Sequence, residues 1–379
     1  MLDWIIVATF YAIFALILIL NRKRIEVLWK VGFVLKTRRG IKIIDKLAKI
    51  PVIWDILSTI GVVLSIFLVF ATLFMISYSF FSPIMSGEVP NAQAAVILPY
   101  KSPILFSLIL LIIIHEFSHG IVARVKGVRI KSIGVGVLTF LPLAFVEVDD
   151  EDLKRISRLD RMRIFCMGSF ANILAFFAFS LFLSNLYYPF LLNQVMEAKG
   201  VMILDVFQGM PAAKANVTKG AIIHSVNNFS VRNLSEFREA LSKVKPGENV
   251  VLQTDKGEFV VKTTQHPQDP NKAYLGVSLS DYYDVREGAR ERFGILVDFF
   301  SWFASFLLYA ANLNLLVGLV NLLPLLITDG SKLLYDFLDY ISPNQKVKLY
   351  LFNFINSFTI FLFIALLFLS MFSTGVTLL

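Results

Sequence analysis

Long apolar stretches separated by short polar segments make up most of this chain. About 20 apolar residues are needed to cross the hydrocarbon core of a bilayer as a helix. Six stretches reach that length, and they cover residues 2–20, 52–80, 103–124, 164–187, 295–323 and 349–372. The pattern predicts a multi-pass α-helical membrane protein with about six transmembrane helices.

Two segments between these stretches have the pattern of strands. GVRIKSIGVGVLTFLPLAFVEVD (127–149) alternates around Gly134, Gly136 and Pro142, which predicts a short membrane-associated β hairpin. Residues 198–285 alternate strand-like and helical segments, with turn residues at Lys219–Gly220 and Pro246–Gly247. This second segment predicts an inserted α+β domain outside the membrane.

The two segments divide the chain into four parts. We expect N-terminal membrane helices with a basic loop at 1–100 and the first half of a membrane core at 101–195. The inserted domain would occupy 196–288, and the second half of the core with a C-terminal helix would occupy 289–379.

Composition supports a membrane protein. The chain is 56% hydrophobic and 17% charged, whereas soluble proteins are about 25% charged. Its one cysteine, Cys166, excludes an intrachain disulfide and a cysteine-rich metal site. We expect Cys166 to be a small buried apolar residue.

The distribution of charge orients the predicted helices. Residues 21–50 carry ten Lys or Arg and two acids, which is typical of a cytoplasmic loop beside anionic lipid and not of a nucleic-acid site. The loop at 81–102 carries only Glu88 and Lys101 and suits the outside. The N-terminus and the inserted domain are then extracytoplasmic. The first helix lacks a basic start and a cleavage site, so we expect it to be retained as a membrane helix. The lack of a targeting extension favours a prokaryotic membrane.

The third predicted helix contains the pattern His115-Glu116-Phe117-Ser118-His119. Histidines four residues apart lie on the same helix face, so both imidazoles can reach one metal ion. Zinc lowers the pKa of a bound water to about 7, and Glu116 is placed to accept that proton. Unpaired ionisable groups in a membrane helix cost about 2–3 kcal/mol each. The alternative is a satisfied polar patch between helices, or a proton path.

Asp329 is the first acid after a run without charge from Ser301 to Thr328. Pro324 would kink or break the fifth helix, and Gly330 permits a turn that points the carboxylate inward. Asp329 is therefore a candidate third ligand. The alternative is an ordinary helix-end residue at the membrane interface.

Together these motifs resemble the site-2 proteases, a family of intramembrane zinc metalloproteases. The stretch Asn321-Leu-Leu-Pro324 with Asp329-Gly330 resembles that family's N-x-x-P-x-x-x-x-D-G motif, and HEFSH resembles its H-E-x-x-H. GSFAN (168–172) resembles its Gly-x-x-x-Asn element. The resemblance covers roughly residues 100–345. Thr328 stands where leucine is common in the family.

The inserted segment GMPAAKANVTKGAIIHSVNNFSV (209–231) resembles the PDZ domains of membrane and periplasmic proteases. Asn216 replaces the usual glycine and Ala221 the usual aspartate of that phrase. The resemblance implies a PDZ-like domain with possible peptide binding.

The family resemblance implies one Zn²⁺ ion held by His115, His119 and Asp329, with Glu116 as the general base. The implied reaction is hydrolysis of peptide bonds within transmembrane segments of substrate proteins. The orientation expected from the loop charges places Asp329, and with it the site, toward the cytoplasmic side. Asn321 and Asn172 match family asparagines near the site. Either could hold an extended substrate or stabilise an oxyanion, and a structural hydrogen bond between helices is the alternative for both.

Two other functions are weighed against proteolysis. A metal-ion transporter would carry ionisable residues at successive depths, whereas this chain concentrates them at one level. A catalytically inactive membrane scaffold acting through its PDZ-like domain would have lost a ligand or the glutamate, and none is lost.

Overall fold

A computed structural model describes residues 2–22, 25–28, 32–86, 95–96, 101–139, 141–373 and 377–378. Lys23, Arg24 and Lys30 of the predicted basic loop lie outside the described residues, as do 87–94 and 97–100 of the predicted external loop. The chain forms two compact units, 1–184 with 305–379, and 185–304.

The described residues form both helices and strands. The helices are α1 (Leu2–Leu20), α2 (Ile41–Leu47), α3 (Pro51–Met85), α4 (Ser102–Val125), α5 (Asp150–Arg155), α6 (Arg158–Phe182, continued by a π-helical segment Leu183–Leu192), α7 (Asn193–Val195), α8 (Pro211–Lys214), α9 (Leu234–Ser242), α10 (Ala289–Phe293), α11 (Leu296–Leu322), α12 (Asp329–Ile341) and α13 (Gln345–Ser373). The strands are β1 (Ile25–Leu28), β2 (Gly32–Thr37), β3 (Ala95–Val96), β4 (Ile130–Leu138), β5 (Leu141–Val148), β6 (Met196–Val206), β7 (Ile222–Val226), β8 (Phe229–Ser230), β9 (Asn249–Thr254), β10 (Gly257–Lys262), β11 (Thr264–His266), β12 (Asp269–Tyr274), β13 (Val277–Val285) and β14 (Thr377–Leu378).

Six helices among the described residues are long and apolar enough to cross a membrane, which confirms the predicted number of spans. Their ends follow local chemistry. Helix α6 begins at Arg158, before the predicted start, because the Ser157 hydroxyl caps it by accepting a hydrogen bond from Asp160 N–H. Helix α11 ends at Leu322, shortly before Pro324, as expected for a residue that cannot continue a helix.

Helix α6 is the centre of the main apolar core of the first unit. Its residues Met167 and Phe170 are buried, and they pack with residues of α3, α4, α11 and α12. Small residues allow the close approach of helices that membrane packing requires. At Gly61 of α3, for example, a side-chain carbon would lie 2.9 Å from the ring of Phe170.

A four-stranded antiparallel sheet with the order β1-β2-β4-β5 lies in the same unit. Strands β4 and β5 form the predicted hairpin, and β5 is an edge strand. Strands β1 and β2 were not expected, because the charges of residues 21–50 concealed the strand pattern of GFVLKT (32–37). Strand β2 pairs with β4 about 100 residues away, a contact that no local pattern encodes.

The second unit contains the predicted α+β domain. Its main sheet has the order β10-β9-β7-β6-β13, with β8 paired to β7, and helix α9 supplies Phe237 to its core. Residues 264–266 and 269–274 form a further hairpin, β11–β12, which the sequence pattern did not predict. Strand β13 pairs with β6 so that Val285 lies opposite Met196, which brings the two ends of the domain together.

Candidate metal centre

Two histidines one turn apart on α4 face the same point. Nε2 of His115 and Nε2 of His119 are 3.3 Å apart. Both rings are largely buried, with side-chain exposures of 11% and 13%. The i, i+4 spacing places both ring nitrogens on one face of the helix, as the motif predicts.

Asp329 opens helix α12 and points toward these histidines. Its Oδ2 lies 3.1 Å from His115 Nε2 and 2.9 Å from His119 Nε2. The preceding turn is held by Thr328, whose hydroxyl donates to the carbonyl oxygens of Leu323 and Leu325. Thr328 therefore shapes the turn that presents the carboxylate.

Gly330 is needed for a close approach of two backbone segments. A side chain on Gly330 would collide with the carbonyl group of Leu322 at the end of α11. Its φ is not in the left-handed region. The expected importance of Gly330 thus comes from packing of α12 against α11, and only a residue without Cβ fits there.

The three groups fit a tetrahedral metal ion such as zinc. Zinc–nitrogen bonds of about 2.0–2.1 Å place two tetrahedral ligands about 3.3 Å apart, and the three ligand atoms are separated by 2.9–3.3 Å. A side-chain carbon on Gly168 of α6 would lie 2.7 Å from His115 Nε2. The missing side chain therefore leaves room beside both imidazoles. Within the described part of the chain this is the one His/Cys/Asp/Glu group suited to a metal.

The surroundings of the ligands orient them. His119 Nδ1 lies 2.6 Å from the carbonyl oxygen of Ile164 on α6, so Nδ1–H donates to it and Nε2 keeps its lone pair. Lys332 Nζ donates to Oδ1 of Asp329 at 3.2 Å, which leaves Oδ2 for the histidines. Both contacts favour metal binding at the shared point.

Ion pairs anchor helix α12, which carries Asp329. Arg161 of α6 donates to both carboxylate oxygens of Asp336, at 2.9 and 2.7 Å. Burial alone would raise the pKa of Asp339, but the ammonium group of Lys348 at 2.8 Å and the guanidinium of Arg158 hold that pKa below its usual value. Helix α12 is thereby tied to α6 and α13.

Glu116 lies next to the cluster without joining it. Its Oε2 accepts a hydrogen bond from the backbone N–H of Val146 on β5, at 2.9 Å. Glu116, His115 and Asn321 line a cavity of about 540 Å³ whose other walls are mostly apolar, including Leu111, Ala144 and Val317. A carboxylate beside a candidate metal centre in an apolar cavity is the arrangement a general base requires.

The two candidate asparagines lie on different sides of His115. Asn321 of α11 donates from Nδ2 to Asp329 Oδ2 at 2.9 Å and lines the cavity. Asn172 of α6 is fully buried, and its Nδ2 is 3.1 Å from His115 Nδ1. The structure thus brings all six predicted site residues together, with only Asn321 of the two asparagines facing the cavity.

Several residues of the site carry no predicted role. Lys332 follows Asp329 at the i+3 spacing of neighbours on a helix, so its contact could have been expected. Gly168 lies in the quoted GSFAN motif, which gives no reason for the glycine. The backbone groups of Val146 and Ile164 have no signal in the sequence, because any residue provides them.

Comparison with known proteins adds family evidence. Residues 103–366 match the sequence family described as "Peptidase family M50". An uncharacterized protein of Methanocaldococcus jannaschii is 27% identical over 305 residues, which cover 78% of this chain and 75% of that protein. A membrane-bound transcription factor site-2 protease homolog of Arabidopsis thaliana is 24% identical over 181 residues, covering 45% of this chain and 34% of that protein.

Two further proteins show similarity to this chain. A probable membrane metalloprotease of Arabidopsis thaliana chloroplasts is 24% identical over 322 residues, covering 63% of this chain and 71% of that protein. The PDZ domain of an SdrC-like protein from Listeria monocytogenes matches 21% of this chain and 87% of that domain, at 21% identity and a TM-score of 0.20.

The space left by Gly168 leads to a test of the metal centre. In Gly168→Ala the new methyl group would push against both imidazoles, so we expect zinc affinity to fall by more than about tenfold. Competition with a chelator measures this affinity. Gly61→Ala is the matched control, because its methyl group would press on Phe170 and Cys166 of the same helix α6 without touching a histidine or an asparagine of the site. Equal zinc affinity in the two variants would contradict the assignment.

Proposed function

The chain belongs to peptidase family M50, and on that premise we propose that it is an intramembrane zinc metalloprotease. Its relatives support a metallopeptidase of the site-2 type embedded in a membrane. The proposed substrates are membrane proteins whose transmembrane segments are cut. The observation that carries the proposal is the meeting of His115, His119 and Asp329 beside Glu116 in an apolar cavity.

His115, His119 and Asp329 would hold the zinc ion, which when bound supplies a Lewis acid that makes water nucleophilic near neutral pH. Glu116 accepts the proton of the attacking water and passes it to the leaving amine. Its hydrogen bond to Val146 N–H keeps the carboxylate at the cavity wall. The amide N–H of Asn321, which faces the same point, is the candidate donor to the developing oxyanion.

The edge of strand β5 is the proposed docking site for an unwound substrate segment. Val146 N–H points away from β4, since it donates to Glu116. In an antiparallel pair every second residue shares that direction, so the backbone groups of Ala144 also point outward. Pro142, which has no N–H, has the same parity and fits this edge. Ala144 lines the cavity and can pair with substrate as an added strand.

The chain is an integral membrane protein, and we propose a prokaryotic cell membrane with the metal centre toward the cytoplasm. The basic residues of 21–50 favour the cytoplasmic side for that loop, and the PDZ-like domain would then lie on the external side of the membrane. There it would bind extended peptide segments and admit substrates only after a bulky external part has been removed.

Glu116→Gln tests the chemistry. The amide cannot accept a proton, so we expect cleavage of a model transmembrane substrate to fall at least about 100-fold while bound zinc is unchanged. Glu147→Gln is the control, since that carboxylate accepts from Ser132 and pairs with Lys36 away from the cavity. Cleavage by Glu116→Gln at the wild-type rate would refute the proposal.

Ala144→Pro tests strand pairing. It removes one outward N–H from an edge position where proline is tolerated, so folding and zinc content should be retained. A main-chain hydrogen bond contributes about 1 kcal/mol, so we expect cleavage efficiency to drop by about fivefold or more. Ala144→Ser keeps the N–H and should cleave normally. If both variants cleave alike, β5 does not pair with substrate.

Removal of the inserted domain tests the filter. Met196 and Val285 are paired neighbours, so a short Gly/Ser linker can replace residues 197–284. We expect the shortened protein to cleave a pre-trimmed substrate as before and an untrimmed one faster than the full chain does. The same deletion combined with Glu116→Gln should cleave neither. Unchanged discrimination between the two substrates would leave the domain without a filter role.

A further inference from the structure

Asn172 is a buried asparagine whose two amide atoms differ in their surroundings. It is 0% exposed, and its Nδ2 lies 3.1 Å from Nδ1 of His115. Its Oδ1 is buried and has no hydrogen-bond partner among the described residues. Buried amide oxygens in native proteins are nearly always hydrogen-bonded. An orphaned acceptor directly beside a candidate metal ligand therefore points to a missing donor.

The missing donor is found in the metal-binding form of His115. Its Nε2 faces His119 and Asp329, so metal binding uses the lone pair of Nε2. The proton of the neutral imidazole is then on Nδ1, which becomes a donor. In the present amide orientation that N–H would face the NH₂ group of Asn172, another donor.

A half-turn of the amide exchanges its oxygen and nitrogen and removes this conflict. Oδ1 then accepts a hydrogen bond from His115 Nδ1–H, so the orphaned acceptor and the unpaired donor satisfy each other. We propose that Asn172 is a positioning residue that holds His115 in the tautomer and orientation needed to bind the metal.

The neighbouring histidine shows the same arrangement. His119 Nδ1 is held by the carbonyl oxygen of Ile164, also on α6. Ile164, Gly168 and Asn172 are spaced four residues apart and share one face of α6. That face holds one histidine at each end and leaves room between them at Gly168. The two supporting groups, at Ile164 and Asn172, thus lie two turns apart on one face of α6, with Gly168 midway between them.

This placement gives Asn172 a role distinct from substrate binding. It approaches His115 from the Nδ1 side, and it is absent from the residues that line the cavity beside Glu116. The inference rests on the proposed metal site. It adds that position 172 requires a hydrogen-bond acceptor, which asparagine and aspartate provide and leucine does not.

Zinc affinity of purified full-length variants, measured by competition with a chelator, tests the inference. Asn172→Leu has a similar size and no acceptor, and we expect its zinc affinity to fall by about 10–100-fold, as for other outer-shell partners of metal-bound histidine. Asn172→Asp keeps an acceptor and should bind zinc at least as tightly as wild type. The d–d spectrum of the Co²⁺-loaded protein should change in Asn172→Leu and be retained in Asn172→Asp.

Asn314→Leu is the matched control, because Asn314 is also fully buried with an unpartnered Oδ1, and its Nδ2 donates to the carbonyl oxygen of Ala310 instead of meeting a histidine nitrogen. Its zinc affinity should equal that of wild type. If Asn172→Leu does not fold, the comparison of Asn172→Asp with wild type decides alone, and weaker binding there overturns the inference. If the wild type binds zinc and Asn172→Leu binds it with equal affinity, this inference is overturned and the proposed function stands. Failure of the wild type to bind zinc overturns the proposed function as well.

Discussion

The structure depends on three ionisable side chains that share one point inside an apolar helix bundle. His115, His119 and Asp329 come within 3.3 Å of one another, and all three side chains are largely buried. Each would be costly alone in a membrane, and together they form a donor set for a metal. The break after α11, the turn held by Thr328 and the ion pair of Asp336 with Arg161 all serve to hold that carboxylate in place.

The second constraint is that the polar groups of non-helical backbone need hydrogen-bond partners. In the membrane it persists only where its polar groups are satisfied or face a watery cavity. The sheet β1-β2-β4-β5 meets this condition through its own pairing, and the outward N–H of Val146 is satisfied by Glu116. One hydrogen bond thus stabilises the sheet edge and positions the proposed base. The remaining outward groups of β5 are those that an extended substrate could use.

The patterns of apolar and polar residues along the chain predicted the elements whose formation depends on neighbouring residues. The six membrane helices and the hairpin β4–β5 were expected from apolar length and alternation. Strand β2 and the hairpin β11–β12 were missed because charged and turn-forming residues hide their alternation, and because their stability comes from strand partners. The role of Gly330 was assigned to a turn, whereas its lack of a side chain matters for contact with Leu322.

The sequence by itself determined the chemistry that is available. Histidines four residues apart must share a helix face, because the helical period is local, and Pro324 must end its helix. Asp329 was a candidate third ligand from the sequence, but only the tertiary structure brings its carboxylate, 210 residues along the chain, to 2.9 Å from His119. It also separated the two asparagines, placing Asn321 at the cavity and Asn172 behind His115. Such choices depend on how helices pack, and packing is a property of all the contacts of the bundle together.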